Sequence, residues 1–211
     1  MTTLENMLIP AWRERVQLAV SPLEHGVQPL QVNGYRPSGF DAYRPSRTAA
    51  VLVPLLELDE PEVVLTRRAD HLVQHAGQIS FPGGAAENED DSAVQTAMRE
   101  AFEEIGLPPD RTRPIGFLDR MDTISDYRVL PVVALVSGPV RWALDEQEVA
   151  EVFTVPLAVA LDQSRYQSNR VKRDGKSYSV WSLQWQHHNI WGVTAAMLLN
   201  LANRYANVQQ T

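Results

Sequence analysis

A mixed α/β domain is the fold class this sequence predicts, on three observations. Two strand-like runs, AAVLVPLLEL from Ala49 and EVVLTRR from Glu62, flank a turn at Asp59-Glu60-Pro61. Apolar residues then recur at helical spacing from Val94 to Ile105, between a polar start and a glycine stop. Further on, Asp174-Gly175 interrupts an extended run from Val171 to Trp185, a strong two-residue hairpin signal.

Taken in chain order, residues 10–20 predict a short helix with Pro10 at its first position, where a missing N–H does no harm. Residues 21–47 are rich in proline and glycine and read as a tether over the surface. The runs on either side of Asp59-Glu60-Pro61 predict a hairpin. Asp91 or Ser92 is placed to cap the next helix. Val94, Met98, Phe102 and Ile105, joined by Ala97 and Ala101, form its expected buried stripe. Gly106 suits the left-handed position after the helix, and Pro108-Pro109 blocks its continuation. Strands are expected at 113–119 and 129–137, a short helix at 156–162, and a final helix from Ile190 to about Tyr205. The chain is thus divided into an N-terminal helix and tether (1–47), one globular domain (48–205) and a short tail (206–211).

Composition narrows the class. A chain of 211 residues suffices for one well-buried core. Cysteine is absent, which removes disulfides, thiolate metal sites and a cysteine nucleophile, and fits a reducing compartment. The start, MTTLENMLIPAWRERV, lacks the basic-then-apolar pattern of a secretory signal. No apolar run reaches the about 18 residues needed to span a bilayer. The expectation is a cytoplasmic protein without a membrane partner. Its formal charge of −7 disfavours nucleic acid, whose binding draws mainly on Lys and Arg.

Chemistry concentrates in FPGGAAENEDDSAVQTAMREAFEEIGL, Phe81 to Leu107. Glu100, Glu103 and Glu104 are related by i,i+3 and i,i+4 spacing, so their carboxylates share one helix face. Like charges so placed destabilise a helix by about 0.2–0.5 kcal/mol per pair. Within that helix only Arg99 is near enough to offset them. A hard divalent cation gives the cluster a purpose, since Mg²⁺ favours carboxylate oxygens shared with substrate phosphates. Pro82-Gly83-Gly84 is a turn where backbone can approach a ligand and present a carbonyl.

This stretch resembles the signature of the Nudix hydrolases, G-x5-E-x7-R-E-U-x-E-E-x-G-U, with U a bulky aliphatic. Arg99, Glu100, Glu103, Glu104, Gly106 and Leu107 match at the required spacing, and Ala101 stands at the first U. Counting back from Arg99 puts Asp91 at the front acidic position and Ala85 at the first glycine. One extra loop residue would restore Gly84 and make Asp90 the acid. Upstream, Thr66, Arg68, Ala69, Gly77 and FPGG are similar to the pattern of the coenzyme A pyrophosphatase branch, except that Val73 replaces its second arginine. EVAEVF from Glu148 and IWGVTA from Ile190 also look like this branch, so the resemblance covers roughly residues 48–200.

The resemblance implies an α/β/α sandwich with a mixed sheet, and a pyrophosphohydrolase dependent on Mg²⁺ or Mn²⁺. The implied substrate is coenzyme A or an acyl derivative, cut to 3′,5′-ADP and a phosphopantetheine. ADP-ribose or NADH is the alternative, which Val73 keeps open, and a catalytically silent ligand-sensing domain is the alternative of another class. Glu100 and Glu104 are the expected metal ligands, with Glu103 a third ligand or the group that takes a proton from water. Arg99 orients the carboxylates, a carbonyl at Gly84 or Ala85 completes the metal shell, and Glu148, then Glu151, is the acid drawn from outside the motif. Arg68 and Arg67, with Gly77, Gly83 and Gly84, are the expected substrate contacts. The partner is a small nucleotide, and a homodimer is compatible with the sequence. A zinc site at His71/His75 is disfavoured, His187-His188 reads as a solvent-facing pair in a turn, and the basic run Arg165, Arg170, Lys172, Arg173, Lys176 reads as a solvated hairpin.

Overall fold

The structure is a computed structural model and describes residues 11–23, 47–123, 126–173 and 176–208. Its centre is a sheet in which β1 (Arg47–Glu57) lies parallel to β7 (Tyr127–Ser137), in register from Arg47↔Tyr127 to Glu57↔Ser137. On its other edge β1 meets two antiparallel partners in turn. Its start pairs with β4 (Gly83–Ala85) and its end with β2 (Glu62–Arg68). The sheet runs β3-β2-β1-β7-β5, with β3 at Ile79–Ser80 and β5 at Thr112–Phe117. The short β6 (Met121–Asp122) pairs with β7, and β8 (Val149–Pro156) pairs with β2.

Helices cover both faces, which is why β1 and β7 read as nearly unbroken apolar runs instead of alternating ones. On one face Leu52, Val132, Ala134 and Val136 pack with Ala97, Ala101 and Ile105 of α2 (Ala93–Ile105). On the other, Val53, Leu55, Val133 and Leu135 pack with Val16 of α1 (Ala11–Ala19), Leu157 at the start of α3 (Leu157–Leu161), and Leu198 and Leu201 of α4 (Val193–Asn207). This is the α/β/α sandwich with a mixed sheet. A second sheet, β11-β10-β9, joins the α4 side, with β9 at Tyr166–Arg173, β10 at Lys176–Trp185 and β11 at His188–Trp191.

Several sequence expectations need adjustment. Ser92 is the cap of α2, its hydroxyl accepting from Gln95 N. The helix is rotated so that Phe102 is 55% exposed while Thr96 and Glu104 are buried. Small Ala97 and Ala101 allow α2 to sit close on the sheet, and the bulkier Phe102 faces solvent. Ile190 lies in β11, so the final helix begins at Val193, after Gly192 at φ 69°. Arg173 pairs with Lys176 as a two-residue connection requires, and Asp174-Gly175 themselves lie outside the described residues. Pro10 and most of the expected tether also lie outside them.

The segment ahead of the main domain is tied into it. Arg204 donates to Ala19 O and Ser21 Oγ and pairs with Asp119 at 2.8 Å, and Arg15 donates to Tyr205 O at 2.9 Å. With Val16 fully buried, α1 contributes to the same core as the sheet.

Gly106 closes α2 at φ 66°, its N–H bonding Phe102 O, and a Cβ there would fall 2.7 Å from that of Ala143. Both the left-handed backbone and the contact oppose a side chain. Gly106→Ala should destabilise the fold by about 1–3 kcal/mol in urea unfolding monitored by circular dichroism.

Candidate active site

The site forms where β4 is wedged between β1 and α2. Glycine is needed there for want of space. A Cβ on Gly83 would fall 2.5 Å from Ala50 O and Val51 Cα, and one on Gly84 would fall 2.5 Å from the Glu100 carboxylate. With β4 this close, the N–H of Gly83 donates to Glu104 Oε2 at 3.0 Å.

Glu100, Glu103 and Glu104 emerge on adjoining sides of α2, as their spacing requires. Glu104 is 5% exposed. Its second oxygen is 3.6 Å from Arg68 Nη1 at the end of β2. Arg68 Nη2 lies 3.9 Å from Glu148 Oε2, just ahead of β8. The backbone fixes this approach, since Ala69 N donates to Glu148 O at 2.8 Å. Glu104, Glu148 and Arg68 therefore converge, with Glu100 near enough to add repulsion to Glu104. Glu103 is more exposed and extends along Arg99.

Arg99 binds the acidic groups together. Its guanidinium donates to Asp90 through Nε at 3.2 Å and Nη2 at 3.0 Å, to Glu100 at 3.1 Å, to Glu103 at 2.9 Å and to the Ala85 carbonyl at 3.3 Å. Asp90, not Asp91, is the acid that reaches this arginine, which fits the extra loop residue ahead of the helix. Asp90 also accepts from Glu87 N and from Thr96 Oγ1. These bonds, with Arg99 first, hold its carboxyl well below the usual range, and Asp90 in turn raises the pKa of Arg99. Of the two expected carbonyl donors, Ala85's accepts from Arg99 and Gly84 pairs with Ala50 in the ladder of β1.

Burial pushes Glu104 up to about 8, against the Gly83 hydrogen bond and Arg68, with Glu100 and Glu148 adding repulsion. Burial is also the main cause that raises Glu100. The cluster thus offers hard oxygen donors, two of them desolvated and under-compensated by positive charge, in a cradle that only glycine leaves open. A hard divalent cation fits this donor set and would return both carboxylates to the ionised form.

Arg67 takes a different direction. It pairs with Asp70 at 2.6 Å and Glu151 at 3.5 Å. Gly77, at φ 66°, lies beside Asp70 and Arg67, not among the glutamates. Val73 is fully exposed in the same loop. His71 and His75 lie in that loop and not on a helix, with His75 Nδ1 2.8 Å from Gln78 Oε1. The expected solvent-facing pair His187-His188 is divided, since His187 is exposed but His188 is buried. Nothing in the local sequence signals that burial, because it arises from Phe153 on β8, stacked on the His188 ring at 3.7 Å. Of the basic run, Arg165 is paired with Asp162.

Comparison with known proteins bears on the family and the fold. A family profile described as NUDIX domain matches residues 46–174. The uncharacterized Nudix hydrolase NudL of Enterobacter sp. (strain 638) is 41% identical over 156 residues, covering 74% of this chain and 81% of that protein. The protein of the same name from Salmonella paratyphi B is 43% identical over the same shares. The crystal structure of RenU, a Nudix hydrolase from M. smegmatis, superposes with a TM-score of 0.54 at 19% identity, covering 85% of this chain and 98% of that one, a likeness of fold.

The raised pKa of Glu104 carries a pH signature. Its folded value of about 8 exceeds the ordinary 4.5, so the folded state holds a proton that the unfolded state releases. That contribution to stability is complete below about 4.5 and is lost as pH rises through about 8. In chelator-treated protein, Glu104→Gln should flatten the fall of melting temperature across this window, measured by differential scanning fluorimetry.

Proposed function

The chain belongs to the Nudix hydrolase family, and on that premise we propose that it cleaves the pyrophosphate linkage of coenzyme A or an acyl-coenzyme A, giving 3′,5′-ADP and the corresponding phosphopantetheine, with Mg²⁺ or Mn²⁺ as cofactor. Family membership makes it a pyrophosphohydrolase acting on phosphorus anhydrides. No helix is long and apolar enough to cross a membrane among the described residues.

The observation that carries the reading is the convergence of Glu104 and Glu148 on Arg68, with Glu100 against Gly84 of β4. Glu100 and Glu104 would hold the cation, with a carbonyl of Gly84 or Ala85 to complete the set. The cation, when bound, would neutralise negative charge on the pyrophosphate and lower the pKa of the attacking water. Arg68 contacts both acids beyond hydrogen-bonding distance and is a bidentate donor available to a phosphate. Glu103, exposed and steadied by Arg99, serves as a third carboxylate for the cation or accepts the proton of the water. Glu148 faces the same space from just ahead of β8 and is the second candidate for that proton. Arg99 acts through its neighbours by holding Glu100 and Glu103 in place. The products are two phosphate monoesters, formed as the P–O–P bridge breaks and water supplies the new P–O bond.

The coenzyme A assignment draws support from the string that frames the site. Thr66 Oγ1 meets Ser80, joining β2 to β3, Arg68 reaches Glu104, and the FPGG turn gives Gly83 N–H to the same carboxylate. Val73, exposed where the branch carries arginine, favours a second reading in which the substrate is another nucleoside diphosphate derivative such as ADP-ribose or NADH.

Incubation with coenzyme A, acetyl-coenzyme A, ADP-ribose and NADH at equal concentration, with products read by mass, separates these readings. Dominant 3′,5′-ADP and phosphopantetheine are expected. AMP from ADP-ribose or NADH with coenzyme A untouched would favour the second reading, and no product from any would point to a silent domain. Glu100→Gln and Glu104→Gln should each lower kcat/KM by at least about 100-fold, about 2.7 kcal/mol of transition-state stabilisation, and weaken Mn²⁺ binding read by electron paramagnetic resonance. Unchanged binding and turnover in both would remove these glutamates from the metal site.

A further inference from the structure

We propose that Glu151, His187 and His188 form a second metal site, separate from the glutamates of α2, that takes a transition-metal dication of the zinc class. One ligand atom from each of these residues lies within 4.8 Å of the others. His188 Nε2 is 3.2 Å from Glu151 Oε1, and the His187 and His188 rings are 3.9 Å apart. Neighbouring strand residues ordinarily point to opposite faces. Here the connection between Trp185 and His188 is the two-residue turn Gln186-His187, with Gln186 at φ 51°, and it folds the two rings together.

The environment of His188 is unusual for a merely structural histidine. The residue is 5% exposed, and its ring stacks on Phe153 at an interplanar angle of 4°. Its Nδ1 is buried without a hydrogen-bonding partner. A neutral imidazole carries one N–H and one lone pair. A cation bound between the histidines and Glu151 would take the lone pair of Nε2, the ring nitrogen that faces Glu151, in place of that hydrogen bond.

The donor set selects the metal. Two imidazoles and one carboxylate suit Zn²⁺, and Mg²⁺ favours oxygen alone. Three protein ligands leave one position of a tetrahedron open to water. Arg67 holds the other oxygen of Glu151 at 3.5 Å and is itself held by Asp70 at 2.6 Å, so the carboxylate is oriented from behind with Oε1 left for the histidines. The site is distinct from the glutamate cluster because consecutive residues of β2 point to opposite faces: Arg68 reaches Glu104 and Glu148, and Arg67 reaches Glu151. A metal here would fasten the β10–β11 turn to β8.

The test uses the full chain, stripped with a chelator and titrated with Zn²⁺ while Mg²⁺ is in large excess at the oxygen-only cluster. One tight equivalent of Zn²⁺ per chain is expected, with a rise in melting temperature. Co²⁺ in place of Zn²⁺ should give the visible absorption of a four-coordinate ion. His187→Ala and Glu151→Gln, chosen because neither side chain is buried, should each weaken Zn²⁺ about tenfold or more and remove the Co²⁺ band. Glu100→Gln should leave both intact. Absence of saturable Zn²⁺ uptake, uptake unaffected by His187→Ala and Glu151→Gln, or uptake lost only in Glu100→Gln would each overturn the proposal.

Discussion

Holding the Glu104 carboxylate out of water is the constraint around which this site is arranged. A buried carboxylate requires hydrogen bonds or positive charge in return. Glu104 receives one backbone N–H, from Gly83, and a guanidinium only at longer range. That N–H reaches it because β4 lies against both β1 and α2, a closeness that glycine alone permits at residues 83 and 84. The compensation is partial, and the carboxylate's affinity for a proton rises accordingly. A strand of two glycines, a close-packed helix and a strained ionisation equilibrium are thus consequences of one contact.

Around that contact the protein separates two tasks. Arg99 gathers Asp90, Glu100 and Glu103, and so reduces the repulsion that their spacing creates. Arg68 comes from the other side, on β2, and remains loosely held between Glu104 and Glu148. One arginine is saturated with partners and fixes geometry. The other has its two acidic neighbours only beyond hydrogen-bonding distance. Their roles follow from their number of close hydrogen bonds, although the side chains are the same.

The site was legible in the sequence wherever its parts lie on one element. Glu100, Glu103, Glu104 and Arg99 share α2, and helical periodicity alone sets their relation. The cap at Ser92 and the stop at Gly106 were equally local. What the sequence left ambiguous depends on loops or on distant pairing. Counting along the motif pointed to Asp91, and only the path of the loop decides for Asp90. The stripe on α2 was misjudged at Phe102, because the sheet accepts the alanine edge of the helix and not its aromatic edge. The role of β1 as the central strand, flanked by β2, β4 and β7, was hidden for the same reason, since strand partners far apart in sequence leave no periodic trace. His188 is buried by Phe153, a contact from a separate strand that no local pattern announces.

The parallel pairing of β1 with β7 also governs how the chain arrives at its structure. Arg47 and Tyr127 meet across 80 residues, and the whole of β4, α2 and their loop lies inside that span. Closing so long a loop carries an entropic penalty before the ladder gives anything back, and domains dominated by such contacts fold slowly. During synthesis, β1, the glycine strand and the acidic helix are all made before β7 exists. The central ladder can therefore close only after the acidic helix between its two strands has been made.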